Sequence, residues 1–234
     1  MANSYFQFKQ FTVWHDKCGM KVGTDSVLLG AWTRVEGARR ILDIGTGTGL
    51  VALMLAQRCE ANIIGVEIDN HAAEQAKENI ARSPWTDRLS VARIDVKEYS
   101  SEEKFKVITS NPPYFFDSLT SPDEQRTLAR HGAELTYEEL FTSVARLLAS
   151  DGEFTIVIPA KVATDVIDIA FNNKLYPIRK LWVHTKPETS PKRVLLTFAF
   201  LKKESEEQHL LIELERHQYS PEYIALTREY YLKM

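Results

Sequence analysis

The segment Asp43-Ile44-Gly45-Thr46-Gly47-Thr48-Gly49 constrains the fold of this chain more than any other. It lies between a short apolar run, residues 40–44 (RILDI), and a run of helix formers, residues 50–58 (LVALMLAQR). The first run has the length of a strand and the second the composition of a helix. Alternate glycines between them let the backbone turn sharply, approach a ligand closely and open the next helix with free N–H groups. The unit predicted is a strand, a tight turn and a helix.

The same alternation continues. Residues 62–68 (NIIGVEI) form a β-branched second strand, and residues 70–81 a helix with Asn70 as its N-cap, broken by Ser83-Pro84. Residues 89–94 alternate as a third strand. Residues 105–110 supply a fourth that runs into Asn111-Pro112-Pro113-Tyr114, where two prolines cannot continue a sheet. Leu140, Val144, Leu147 and Leu148 have helical spacing within residues 136–149, and Thr136-x-x-Glu139 reads as a capping box. Residues 153–158 are a fifth strand and residues 161–171 an amphipathic helix. Residues 176–184 and 193–201 then read as two strands with only a loop between them, so they should pair antiparallel; residues 202–208 read as a surface turn or hairpin extension. The prediction is an α/β fold: a doubly wound, mainly parallel, seven-stranded sheet with a C-terminal antiparallel strand pair. Ligands of such sheets sit beyond the carboxyl ends of the strands.

Composition narrows the class. A length of 234 residues suits one α/β domain over residues 1–234, and 44% apolar with 26% charged residues is ordinary for a globular chain. No stretch approaches the roughly 20 apolar residues of a membrane span, and residues 194–201 are better read as a buried strand. The N-terminus lacks the basic start and apolar block of a secretory signal, so a cytoplasmic location is expected. Cys18 and Cys59 form no C-x-x-C or Cys/His cluster, which points to neither a disulfide framework nor a zinc site. A net charge of −3 argues against holding nucleic acid by global electrostatics and leaves only a local patch. Its candidates are Arg34, Arg39 and Arg40; Arg126, Arg130 and His131; and Arg179, Lys180, Lys192 and Arg193, whose meeting in space the sequence leaves open.

Three acids stand at successive strand ends. Asp43 precedes the glycines, Glu67 lies 18 residues beyond Gly49 where it can accept from ribose hydroxyls, and Asp95 follows the third strand where it can accept from an adenine amino group. A lone strand-end acid is usually a solvated residue or a helix cap, but an ordered set of three points to a nucleoside-containing ligand. The third glycine comes one residue too early for the dinucleotide fingerprint G-x-G-x-x-G. The pattern resembles the class I S-adenosylmethionine-dependent methyltransferases. That resemblance implies S-adenosylmethionine as cofactor, with Asp43, Gly45, Gly47 and Gly49 against its methionine part. It places Glu67 at the ribose and Asp95 near the adenine, and counts Ile68, Val96 and Asn111 among the contacts.

Asn111-Pro112-Pro113-Tyr114 is similar to the N-P-P-[YF] motif of methyltransferases acting on exocyclic or amide nitrogens; the plain alternative is a strand terminator with a packing tyrosine. An aromatic amine is a poor nucleophile because its lone pair is delocalised into the ring. The Asn111 side-chain carbonyl and the Pro112 backbone carbonyl can accept its two N–H bonds and stabilise the positive charge that develops on nitrogen. Pro112 and Pro113 stiffen the backbone, and Tyr114 can stack on a base flipped out of its surroundings.

Segments across nearly the whole chain resemble the bacterial tRNA1(Val) (adenine(37)-N6)-methyltransferases: Phe8-Lys9-Gln10-Phe11, Met20-Lys21-Val22-Gly23-Thr24-Asp25, Leu28-Leu29-Gly30-Ala31-Trp32 and Tyr219-Ser220-Pro221-Glu222-Tyr223. The resemblance implies that residues 1–35 cap the cofactor site and brings in Lys21, Thr24 and Asp25, although Asp25 also reads as a helix N-cap. It implies methyl transfer to N6 of an adenine in the anticodon loop of a valine tRNA, a single-stranded context suited to base flipping. It implies tRNA as partner, with no membrane, metal or obligate protein partner. Rival readings are a methyltransferase of ribosomal RNA guanine N2 or protein glutamine, and a non-catalytic RNA-binding module.

Overall fold

The computed structural model describes residues 3–18, 21–113 and 135–234. In chain order the elements are β1 (Tyr5–Gln7), β2 (Thr12–Trp14), α1 (Thr24–Trp32), β3 (Arg40–Ile44), α2 (Leu50–Ala56), β4 (Asn62–Glu67), α3 (Asn70–Ala81), β5 (Leu89–Arg93) and β6 (Phe105–Ser110). They continue with α4 (Tyr137–Leu147), β7 (Leu148–Pro159), a 3-10 turn (Ala160–Val162), α5 (Ala163–Asn172), β8 (Tyr176–His184), β9 (Arg193–Ala199), β10 (Glu206–Leu211), β11 (Glu213–Glu215), β12 (Gln218–Tyr219) and α6 (Pro221–Thr227).

The central sheet has the order β10-β8-β9-β7-β6-β3-β4-β5. All neighbours run parallel except β9, which is antiparallel to both β7 and β8. The seven expected strands are present, including the C-terminal antiparallel pair. The difference lies at the edge: residues 206–211 are an eighth strand, parallel to β8, where a turn or hairpin extension was expected from the charged run. Glu206 and Glu207 do not keep this strand in solvent because Arg34, Arg179 and Lys180 face them, and Leu210 is buried.

Strand residues alternate between two apolar layers, as a pleated sheet covered on both faces requires. Ile41, Val107, Val157 and Leu195 pack with α1 and α2, whereas Leu42, Ile108, Ile156 and Leu196 pack with α4 and α5. Every residue of α2 is buried, which accounts for its uninterrupted apolar sequence LVALMLA. The Thr136–Glu139 capping box opens α4 with both reciprocal bonds formed. Two caps differ from expectation. Asp69, extended at φ −73° and ψ 127°, caps α3 by accepting from the Ala72 amide, and Asn70 is already inside the helix. Gly23 occupies the N-cap of α1, so Asp25 falls within the first turn and its carboxylate is directed elsewhere.

The hairpin of β1 and β2 is docked on α3 by two buried amides. Asn79 accepts from the Trp14 amide at 2.9 Å and donates to the carbonyls of Trp14 and Thr48, each at 2.9 Å. Gln75 accepts from the Lys17 amide at 2.9 Å. The N-terminal segment is therefore tied to the helix beside the glycine loop.

Candidate active site

Chain order along the sheet reverses between β3 and β6, and there the connections leave on opposite faces and open a crevice at the carboxyl edge. Side chains stitch these two strand ends together. Thr109 Oγ1 donates to Asp43 Oδ1 at 2.9 Å, and Ser110 Oγ donates to the Ile44 carbonyl at 3.0 Å.

The loop leaving β3 has φ values of +68°, +56° and +81° at Gly45, Gly47 and Gly49, a left-handed path that a side chain would strain. Its amides are spent inside the protein. Gly45 and Thr46 donate to the Val66 carbonyl at 2.8 and 3.1 Å, and Gly47 donates to Glu67 Oε2 at 2.9 Å. These bonds fix the path of the loop that opens α2. The loop also presses on β4: a Cβ on Gly65 would lie 2.7 Å from Thr46 Cγ2.

Asp43 lies beneath this loop, 1% exposed. Its second oxygen accepts from Thr46 Oγ1 at 2.6 Å, and the backbone of Ala52, in the first turn of α2, adds a further bond. Burial pushes its carboxyl up to about 6, against the lowering effect of the two threonine hydroxyls. The geometry therefore makes Asp43 a brace that joins loop, helix start and β6.

A cavity of about 350 Å³ opens beyond these strand ends, within the range of small-molecule sites. Gly45, Gly47, Glu67, Ile68, Asp95, Val96, Asn111, Pro112 and Pro113 all line it, so the structure brings most of the sequence-predicted residues together. Ile68 is half exposed and Val96 is buried. Asp95 follows β5 and accepts from the Lys97 amide at 2.9 Å, a local turn that fixes its carboxylate at the wall. Asp43 and Gly49 sit behind the loop, and Lys21, Thr24 and Asp25 stand back from the cavity walls. Tyr114, Arg126, Arg130 and His131 lie outside the described residues.

The wall also contains residues that sequence reasoning missed. Ser110 and Ile94 are immediate neighbours of recognised motif residues, and extending those motifs by one position finds them. Cys18, Ala72 and Leu135 carry no local signal.

Asn111 follows β6, half-buried, and its Nδ2 donates to Ser26 Oγ in the first turn of α1 at 2.8 Å. This turns the amide so that carbonyl and amino groups face opposite ways. Asp25 Oδ2, one residue earlier, accepts from Arg193 Nε at 2.9 Å. Arg193 opens β9 opposite Pro159, the last residue of β7, so this ion pair also lies at the carboxyl edge.

The described basic residues do not form one patch. Arg40 pairs with Glu103, Arg34 and Arg179 with Glu206, and Lys180 with Glu207, and all belong to the amino-terminal side of the sheet. Arg179 additionally stacks 4.0 Å above the Trp32 ring. Lys192 and Arg193 reach the carboxyl edge because β9 runs against its neighbours. Among the described residues no group of three or more His, Cys, Asp or Glu could hold a metal ion, and no helix is long and apolar enough to cross a membrane.

Comparison with known proteins places this geometry. The family model of the methyltransferase small domain matches residues 18–176. Curated proteins named tRNA1(Val) (adenine(37)-N6)-methyltransferase are 62% identical in Bacteroides thetaiotaomicron and 59% in Bacteroides fragilis, each over 100% of both chains. A protein of the same name from Trichodesmium erythraeum is 40% identical, again over both full lengths. Among solved structures, a predicted O-methyltransferase from Agrobacterium tumefaciens superposes with a TM-score of 0.70 at 18% identity, covering 88% of this chain and 96% of the other. The last similarity is one of fold alone, but full-length identity at the level of the Bacteroides proteins is decisive: this chain belongs to the tRNA1(Val) (adenine(37)-N6)-methyltransferase family.

Proposed function

We propose that the protein transfers a methyl group from S-adenosylmethionine to the exocyclic N6 of an adenine in tRNA, in the anticodon loop of a valine tRNA, and that it works in the cytoplasm. The observation that carries the reading is Asn111 on the wall of a cavity that also presents Glu67 and Asp95. The donor set suits the cofactor. Glu67 supplies a carboxylate for a ribose diol and Asp95 one for an adenine amino group, while Ile68 and Val96 offer apolar contact to the base. When bound, the cofactor supplies an electrophilic methyl group on a sulfonium.

The protein's own part is to prepare the amine. Asn111 Oδ1 and the Pro112 carbonyl accept its two N–H bonds, draw the nitrogen toward tetrahedral geometry and stabilise the charge that grows on it. Pro112 is buried and Pro113 cannot donate a backbone N–H, so the carbonyls hold their direction without competition. Asp43 braces the glycine loop from behind, and the N-terminal segment within residues 1–35, which brings Cys18 to the cavity wall, caps the cofactor end. Tyr114 is the proposed stacking partner of the flipped base.

The test is incubation with labelled cofactor and valine tRNA, followed by nucleoside analysis. N6-methyladenosine in the tRNA is expected with the native protein, and roughly 100- to 1,000-fold slower formation with Asn111→Ala, which keeps its affinity for S-adenosylmethionine. Label in guanine or in protein, or full turnover by Asn111→Ala, would defeat the proposal.

A further inference from the structure

The first turn of α1 touches Asn111 and β9 at once. Ser26 Oγ accepts from Asn111 Nδ2 at 2.8 Å across 85 positions of sequence, and Asp25 is paired with Arg193 at 2.9 Å across 168. We propose that Ser26 and Arg193 are positioning residues for the methyl-acceptor site, fixing the plane in which the Asn111 amide meets the substrate. The inference rests on the reading of Asn111 as the acceptor of the amine.

An asparagine side chain carries a carbonyl on one side and an NH2 on the other, and half a turn about its last bond exchanges them. Only the carbonyl can accept from an adenine amine. The exchanged form would set two donors against each other, or tie up by hydrogen bonding the lone pair that must attack. The bond from Nδ2 to Ser26 Oγ holds the amide with Oδ1 on the opposite side; a hydroxyl can also donate, so this bond fixes the plane of the amide and does not by itself select between the two forms. The same bond polarises the amide and makes Oδ1 a stronger acceptor.

The place of Ser26 depends on the helix that carries it. The N-cap of α1 is Gly23, which makes no side-chain capping bond, so its first turn lacks the usual local brace. Arg193 provides one from outside. Its guanidinium holds Asp25, the residue before Ser26, with both side chains half-buried, and β9 anchors Arg193 next to the end of β7. The clamp therefore ties the N-terminal segment to the two strands that flank the acceptor corner.

The experiment measures turnover of the full-length protein at saturating S-adenosylmethionine and valine tRNA, with KM for each. Ser26→Ala is expected to lower kcat by about ten-fold, the value of one hydrogen bond felt in the transition state. KM for both substrates should stay within about two-fold, since a positioning effect of this kind is not spent on ground-state binding. Ser26→Thr, which keeps the hydroxyl, should restore most of the rate; a role in packing alone would not favour Thr over Ala. Arg193→Met should lower kcat less, and the double variant Ser26→Ala/Arg193→Met should be no slower than Ser26→Ala, because both act through one bond.

Native kcat in Ser26→Ala, a threonine variant as slow as the alanine one, losses confined to KM, or losses that multiply in the double variant would each overturn the inference. Asn111→Ala, run alongside, separates the two ideas. If it retains turnover, the amine-acceptor reading fails; if it is inactive while Ser26→Ala is native, only the positioning role fails.

Discussion

The two halves of the crevice are built differently. On the cofactor side, the glycine loop, Asp43, Gly65 and Glu67 belong to consecutive strand-turn-helix units, and the bonds that hold them join neighbouring strands: Thr46 to Asp43, Gly47 to Glu67 and Thr109 to Asp43. On the acceptor side, Asn111 is held by Ser26 and Asp25 by Arg193, residues that only the full winding of the chain brings together. The first half is a rigid cradle made by repetition. The second is a corner assembled from the two ends of the chain, where a change far away in sequence can alter chemistry without touching the cradle.

This contrast breaks down unless the two sides fail differently. The largest effects should come from a reciprocal pair of substitutions. Asn111→Ala should cost roughly 100- to 1,000-fold in kcat, as loss of one preorganised group facing developing charge does. Glu67→Ala should instead weaken S-adenosylmethionine binding by about 100-fold, consistent with charged hydrogen bonds of about 1.5–3 kcal/mol each. Its turnover at saturation should stay near native. Calorimetry for affinity and single-turnover rates for chemistry separate the two, and an identical profile for both variants would show that the crevice acts as one unit.

Next in size is Gly65→Ala. Its new methyl would meet Thr46, which is buried and bonded to Asp43, so the loop must shift. Overpacking of this kind costs about 1–3 kcal/mol. Thermal unfolding should register that loss together with weaker cofactor binding, while the Asn111 corner keeps its rate at saturation.

The smallest effect expected has the opposite sign. The Asp43 carboxyl is raised from 3.8 to about 6 by burial, so its contribution to stability is fully present below the unfolded value and is lost as pH rises through about 6. A shift of that size corresponds to on the order of 2–3 kcal/mol between the protonated and ionised forms. Asp43→Asn removes the charge and keeps hydrogen-bonding capacity toward Thr46 and Thr109. It should gain about 1 kcal/mol at pH 8, after allowing for imperfect replacement of those bonds, and flatten the decline between pH 4 and 6. A variant less stable than the native protein at pH 8 would show that the ionised carboxylate is needed to hold the loop against α2.

Much of this molecule was legible in its residues. Seven strands, the capping box at Thr136 and many residues of the cavity wall follow from periodicity, turn residues and strand-end acids, because those signals act over a few residues. The misreadings share another cause. Residues 206–211 look like a charged turn until Arg34, Arg179 and Lys180 neutralise them at a sheet edge. Asp25 looks like a helix cap, but Gly23 takes that place and the Asp25 carboxylate meets Arg193 from far along the chain.

The local code of apolar spacing, turn residues and strand-end acids thus determined on its own the layered sheet and many of the residues that line the cavity at its carboxyl edge. Tertiary structure alone decided which partners the loop amides find, which basic side chains reach the carboxyl edge and which side chain holds the Asn111 amide. Backbone conformation responds to adjacent side chains, whereas the direction of a hydrogen bond depends on partners that chain order does not reveal.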